Sequence, residues 1–553
     1  MAAAPWSSSA MPESEEEAER VRVREGTSSA FTSGGRSGAR TCIARVLLVL
    51  SSWLLSCLLH FQYFHLSLSS FIAPRSAALV VLPIALDASF LPSPTVEADN
   101  RRRSASSSVV AASPSPSSPP SCEGRYVYML DVPSRFDMLR DCVAGSPLFD
   151  DMWGWCAIKV NAGLGPKIGP AGGHGSDGDT DIIPSTGWYS TDQYSLEVIF
   201  RNWMRRYECL TDDPAAATAV YVQYYPALEL QQHLCGFNTT VRDGRSEAFL
   251  RWLSSQRTWA ALGGRDHFMV AAKTTWMFRR EPGGSDEGCG NNFLGQPESR
   301  NMTVLTYESN IAVPYQSYFH PSSAGEVAAW QAHAGAAPRP FLLAFAGARR
   351  MKGQLAIRDR VFDVCEAAAR RSRCGMLDCS HGLEGSITCR SPRKLVSLFT
   401  SARFCLQPRG DSFARRSSID SVMAGCIPVF FHRPSTLKAQ YRWHEPEPGR
   451  SNDGDRRYYV LINSKDVLEG RVDIEEELSR YTDEGVAAMR EEVIKMIPRF
   501  LYKDPRVGFQ GEMRDAFDIT IDEMIARMRR IENGENLIWK GDDRDEDFAA
   551  NDS

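Results

Sequence analysis

Short apolar runs recur through this chain of 553 residues, separated by longer stretches in which apolar residues return at helical spacing. The runs fall at 126–130 (YVYML), 219–225 (AVYVQYY), 268–272 (FMVAA), 303–306 (TVLT), 341–347 (FLLAFAG), 404–407 (FCLQ) and 426–431 (CIPVFF). A strand that is apolar at successive positions has both faces covered, as in a parallel sheet flanked by helices. Between the runs the spacing predicts helices at 195–207, 354–371, 395–402 and 413–424, then a long charged amphipathic helical region at 475–500. A Gly/Ala/Pro-rich stretch at 333–340 interrupts the pattern. The expectation is an α/β protein of two Rossmann-like domains facing a cleft, with limits at 122–335 and 336–540. Strand order is not legible in such a pattern.

Ahead of the folded part, residues 46–64 (VLLVLSSWLLSCLLHFQYF) run for 19 positions without a formal charge. About 17–25 such residues cross a bilayer as a helix. Arg36, Arg40 and Arg45 precede the run, and only Arg75 follows closely, so the charge bias keeps the N-terminus cytosolic. A cleaved signal peptide is the other reading. The 45-residue leader and the absence of a small-x-small site directly after the run argue against it. Residues 65–121 end in SPSPSSPPS and form a stem that cannot bury enough apolar surface to fold. Residues 1–45 are then a cytosolic tail, 46–64 a signal anchor, and 541–553 an acidic disordered tail.

This plan puts the folded part in an oxidising lumen, where the 12 cysteines beyond the stem are expected to be partly paired as disulfides, in a connectivity the sequence does not give. Cys374, Cys379 and Cys389 match no common zinc spacing, so disulfides are the better reading there. Asn238 (NTT) and Asn301 (NMT) are glycosylation acceptors; Asn551 also matches, at the end of the chain. The net charge of −5 gives no basic excess, which argues against nucleic acid as a partner.

The chemistry concentrates in residues 404–431, FCLQPRGDSFARRSSIDSVMAGCIPVFF. A strand ends at Gln407, Pro408 and Gly410 make a tight turn, and a helix begins near Ser412 or Phe413. The carboxyl end of a parallel strand opening onto a helix N-terminus is an anion site. Arg415 and Arg416 add multidentate donors suited to a diphosphate. Asp420 lies one helical turn beyond Arg416 and offers a carboxylate to the two hydroxyls of a ribose. The bland alternative, an i,i+4 surface pair, has equal weight on this evidence. Neither a Walker A motif nor a GxGxxG follows any strand, and DGDTD (177–181) reads as a solvated loop rather than a metal site.

The segment resembles the nucleotide-sugar signature of the exostosin-like glycosyltransferases, glycosyltransferase family 47. Further pieces at 122–136, 194–211, 264–271, 313–321 and 345–350 are similar to its plant xyloglucan galactosyltransferase (Katamari or Murus type) branch. The resemblance implies a GT-B architecture, a UDP-sugar donor, an inverting mechanism without an obligatory metal or other cofactor, and a Golgi membrane location. Carried across, Gly410 and Ser412 shape the donor turn, Arg415 and Arg416 face the diphosphate, and Asp420 faces the ribose. Asp420 stands where other members commonly carry Glu. Two departures stand out: Met277 in KTTWMF replaces an Asp, and Gln316 replaces a Pro.

Inversion needs a base from the first domain. Asp266 and His267, just before the FMVAA run, are the candidates, with Glu197, Glu308 and His320 as further polar residues in recognisable segments. Each has a structural reading: Asp266 capping a turn, His320 as a core histidine, Glu197 pairing with Arg201. Some of Trp188, Tyr189, Trp203, Tyr224, Tyr225, Trp276, Tyr315 and Tyr318 are expected to line the acceptor cleft, although aromatic residues more often fill cores. The expected activity is transfer of galactose from UDP-galactose onto xyloglucan. The alternatives are another donor or acceptor (galacturonic acid, arabinose, mannan galactosylation) and a non-catalytic glycan-binding partner of a transferase complex.

Overall fold

Val127–Leu130 (β1), Leu210–Thr211 (β2), Ala219–Val222 (β3), His267–Val270 (β4) and Thr303–Leu305 (β5) form one parallel sheet, in the order β2-β1-β3-β4-β5. A second parallel sheet holds Phe341–Gly347 (β6), Cys374–Asp378 (β7), Ala402–Gln407 (β8), Ile427–Phe430 (β9) and Val460–Leu461 (β10), in the order β10-β9-β8-β6-β7. Every ladder in both is parallel. The computed structural model describes residues 122–142, 155–169, 182–280, 288–308, 312–349, 356–380, 382–446, 457–535 and 537. The anchor, the stem, DGDTD, Asn551 and the acidic tail lie outside these. Among the described residues no helix is long and apolar enough to cross a membrane.

Each sheet runs second-first-third-fourth-fifth in chain order, so the connection reverses direction beside its first strand. The reversal opens a crevice at the carboxyl edge, between β1 and β3 in one sheet and between β6 and β8 in the other. β3, β4, β5 and β9 are buried along their whole length, as continuous apolar runs require. β3 stops at Val222 because Pro226 opens the helix Pro226–Gln232 three residues after Gln223. The 333–340 stretch is no plain boundary: helix Ala324–Ala336 runs into it, capped by the Ser323 hydroxyl.

The two sheets are joined by packing as well as by chain. Trp330, on helix Ala324–Ala336, is buried against Trp188 at 4.6 Å and donates its indole N–H to the Met423 carbonyl at 2.7 Å. The 475–500 region divides into helices Ile474–Ser479 and Asp483–Phe500. Helix Ala516–Glu532, assigned from sequence to the second domain, packs on both: the His444 ring faces its Ala516 carbonyl at 3.4 Å, and other contacts reach the first domain. Its Phe517 ring lies 4.9 Å from Phe200, and its Asp522 pairs with Arg125 at 2.6 Å. Asp515 and Asp518 form a capping box at its start.

Five disulfides join Cys122–Cys209, Cys235–Cys289, Cys365–Cys374, Cys379–Cys389 and Cys405–Cys426, and Cys142 is also disulfide-bonded. The three cysteines weighed as zinc ligands are therefore committed to two of these bridges. Asn238 caps helix Thr239–Ser254 through Val241 N–H, and both it and Asn301 are exposed.

Candidate functional site

β8 carries the chain to Gln407, and the helix that follows, Arg416–Met423, starts three residues later than the spacing suggested. The intervening turn folds on itself. Arg415 donates to the Pro408 carbonyl at 2.6 Å, Ser412 Oγ to the Ala414 carbonyl at 2.8 Å, and Gly410 N–H to the Ser412 carbonyl at 3.2 Å. Burial pulls the Arg415 guanidinium down to about 10, against Asp411 and Tyr315. Gly410 has ordinary φ, and a Cβ there would meet only Arg358 at 3.9 Å, so its missing side chain leaves space rather than relieving strain. The helix starts without a side-chain cap, which leaves its first N–H groups available.

Arg416 is the centre of the site. Its guanidinium lies 3.9 Å over the Tyr318 ring, its Nη1 donates to the Thr191 carbonyl at 2.8 Å, and its Nε stands 3.7 Å from Asp420 Oδ2. The side chain is 12% exposed, yet Nε and Nη2 have no hydrogen-bond partner. Gln407 Nε2, also buried, is likewise without one, while Gln407 Oε1 accepts from Ser417. Buried donors left open beside an uncapped helix start make a cradle for an anionic group. Asp420 accepts from Ser317 Oγ at 3.0 Å. Burial pushes its carboxyl up to about 6, against Arg416 and Ser317. The pair read from sequence as an i,i+4 contact is thus buried at the seam of the two sheets, not a solvated surface pair.

The first sheet supplies the opposite wall. Beyond β5, Glu308 accepts the Phe413 N–H at 2.8 Å, tying the turn after β8 to the first domain. Beyond β4, Lys273 is fully buried, its ammonium 3.5 Å over the Tyr194 ring and bonded to Gln231 Oε1. Desolvation pulls it down to about 7, opposed by Asp192 and Glu197. Asp192 follows the Thr191 carbonyl that Arg416 grips. Its carboxylate is exposed and accepts Tyr194 N–H at 2.8 Å. Gln316 anchors this loop from below: its amide donates to the Asp192 carbonyl and, at 3.3 Å, to Ser195 Oγ, while its oxygen accepts from Tyr307.

Asp266 and His267 do not reach this wall. His267 is the first residue of β4, at the amino edge of the sheet, and is fully buried. Its ring nitrogens face Asp266 at 2.7 Å and Thr258 at 3.3 Å. The pair stabilises a strand start, and the base role assigned to it does not stand. His320 is a core histidine held by the Tyr502 and Ser317 carbonyls and Thr191 Oγ1, and desolvation keeps it neutral, down to about 4. Glu197 does not pair with Arg201; its carboxylate accepts backbone N–H groups of Ala227, Leu228 and Ala272.

The aromatic set divides as well. Trp188, Trp203 and Tyr224 pack in the core against Phe319, Phe517 and Phe249. Tyr315 stacks on Tyr307, and Tyr189 is held by Asp504 and Arg506. Tyr318 underlies Arg416, Trp276 is exposed, and Tyr225 lines a separate crevice. Met277 is half-buried against the core. Among the described residues no group of three His, Cys, Asp or Glu is placed to hold a metal ion.

The fold is that of a two-domain parallel α/β protein, with buried arginine donors left open at its interdomain seam. Residues 121–478 match the Exostosin GT47 domain, and the chain belongs to that family. It is 38% identical over 419 residues to xyloglucan galactosyltransferase MUR3 of Arabidopsis thaliana, covering 74% of this chain and 63% of that protein. It is 34% identical over 422 residues to xyloglucan-specific galacturonosyltransferase 1 of the same plant, covering 74% of this chain and 58% of that protein. The matches thus span under two thirds of either relative. Among solved structures, an α-glucosyltransferase in complex with UDP and DNA aligns over 62% of this chain and 96% of its own, at 11% identity and TM-score 0.31.

Proposed function

We propose that this protein is an inverting glycosyltransferase of GT-B architecture that moves one sugar, galactose from UDP-galactose, onto xyloglucan side chains. The observation that carries the reading is Arg416, buried at a helix start with two donors unmet, one turn from the buried Asp420. A nucleoside diphosphate presents the matching groups: phosphate oxygens for Arg416 and the helix N–H groups, and ribose hydroxyls for Asp420. The acceptor and sugar are supported by the activity named for the MUR3 relative. A second donor, UDP-galacturonic acid, is favoured by the galacturonosyltransferase aligned over the same share of the chain.

In this mechanism the acceptor oxygen bonds to the sugar C1 while the C1–O bond to the β-phosphate breaks, its electron pair leaving with UDP. Arg416 and the helix N-terminus meet the charge that develops there, with Arg415 bracing the turn. The proton of the acceptor hydroxyl goes to Asp192, the exposed first-domain carboxylate adjoining the residue that Arg416 grips. The scheme calls on arginine rather than a metal ion. A single-pass type II position in the Golgi membrane, lumenal side folded, is supported by the 46–64 run and the paired cysteines.

The test is the full chain with UDP-galactose or UDP-galacturonic acid and xyloglucan oligosaccharides, read by mass spectrometry. A gain of one hexose is expected, and a gain of one hexuronic acid moves the donor. Protein that binds UDP but transfers from neither donor sinks the transfer reading and favours a non-catalytic partner.

A further inference from the structure

We infer that the crevice at the carboxyl edge of β1 and β3 binds neutral oligosaccharide, holding a stretch of the acceptor away from its reacting hydroxyl. The inference rests on the transferase reading above and extends it to a surface that no donor contact explains. The crevice has a volume of about 540 Å³, within the usual range for ligand pockets of roughly 300–1,000 Å³.

Its position follows from the strand order. β2 ends at Thr211, which pairs with Tyr128, so the rest of β1 and the following Asp131 have no strand beside them on that side. The gap lies on the β2 side of β1, next to the reversal point between β1 and β3. It opens on the same edge from which the chain leaves β4 and β5 for Lys273 and Glu308. β1 lies three strands from β5, roughly 15 Å at about 5 Å per strand, a separation that a short oligosaccharide bridges. The Cys122–Cys209 disulfide holds the start of β1 against β2 and keeps this wall in place.

The lining decides the ligand class. Tyr225 is 2% exposed and its hydroxyl has no partner, a buried polar atom of the kind that ligands satisfy. The Arg201 guanidinium lies 5.8 Å from the Tyr225 ring centre and donates to Gln223 Oε1 at 2.9 Å. Arg205 faces the same space, while Asp131, Asp137 and Asp212 line it with carboxylates. Two cations against three anions leave no positive excess for a phosphate. The mixture of donors, acceptors and the half-buried Tyr128 ring suits a ligand that is uncharged, rich in hydroxyls and apolar on its C–H faces.

The test uses the full chain and a xyloglucan oligosaccharide carrying several glucose units, with binding read by ligand-observed NMR and UDP affinity as control. Tyr225→Phe removes only the unpartnered hydroxyl, and Arg205→Ala removes an exposed side chain, so neither is expected to impair folding. Binding to the native chain, weakened about three- to tenfold by each variant with UDP affinity unchanged, is the expected result. Equal binding by native chain and both variants overturns the assignment. So does absence of oligosaccharide binding, in which case retained UDP affinity shows that the donor half of the reading survives. A crevice ligand that proves to be phosphate or another anion also overturns it.

Discussion

The two sheets share one strand order, but the buried polar atoms on their carboxyl edges are committed to different extents. In the second sheet, the turn after β8 leaves Arg416 Nε and Nη2 and Gln407 Nε2 buried and unmet. In the first, the Glu197 carboxylate faces three backbone N–H groups and is wholly occupied with holding the chain. Topology provides a crevice in each case. What distinguishes a binding stretch of either edge from a scaffold stretch is whether the buried polar atoms there already have partners, as those around Glu197 do and the Tyr225 hydroxyl does not.

The steepest loss is expected at the wall between them. Asp192→Asn should lower kcat/KM for transfer by about 10²–10⁴ while UDP affinity holds. An unchanged transfer rate would return the base to the unassigned residues. Arg416→Ala should weaken UDP by roughly 10²–10³, as expected for two or three charge-assisted hydrogen bonds, with Arg416→Lys restoring only part. Calorimetric titration with UDP checks both. Glu197→Gln should do the converse: its amide nitrogen meets N–H groups, stability falls by about 1–3 kcal/mol in a denaturant melt, and UDP affinity stays. If it cost UDP affinity instead, the contrast between the two edges would fail.

Smaller effects sharpen the donor side. Asp420 accepts from two ribose hydroxyls at full strength only when ionised, and its folded carboxyl is raised to about 6. UDP affinity should therefore decline as pH falls through about 6 and hold above it. Asp420→Asn should flatten that profile in the same titration. The folding term has the opposite sign: a raised carboxyl is destabilising above its unfolded value, so this group's cost grows as pH rises from about 4 to 6. Smallest is Gln316→Leu, which frees the Asp192 carbonyl from below; a loss of about three- to tenfold in kcat/KM at constant UDP affinity is expected from initial rates.

Much of this architecture was legible because a strand buried on both faces must be apolar throughout. The FLLAFAG run is β6 residue for residue. β2 and β10 carry two residues each and have no pattern to read, and β7 contains Gly375 and Asp378. Arg416 and Asp420 were visible as a helical pair after a strand, whereas their burial comes from Tyr318 and Ser317, about a hundred residues away. Asp192 in TDQY resembles any turn-forming aspartate. Long-range contacts mark it out: Arg416 on the Thr191 carbonyl, 225 positions away, and Gln316 on its own carbonyl. The error over Asp266 and His267 had a readable remedy, since both stand at the amino end of their apolar run and ligands gather beyond strand carboxyl ends. Gln316 was noticed as a departure from Pro, and its buried amide gives that departure a task.

The Cys405–Cys426 bridge encloses Gln407, Gly410, both arginines and Asp420 in a covalent ring of about twenty residues. Closing a loop of that size removes roughly 3 kcal/mol of chain freedom from the unfolded state in the entropy model. Nearly every group that would touch the nucleotide is therefore strung on one macrocycle, sealed only where thiols can be oxidised. Chain made in a reducing cytosol would deliver the same residues on an open thread, and its donor affinity would report the redox history of its synthesis.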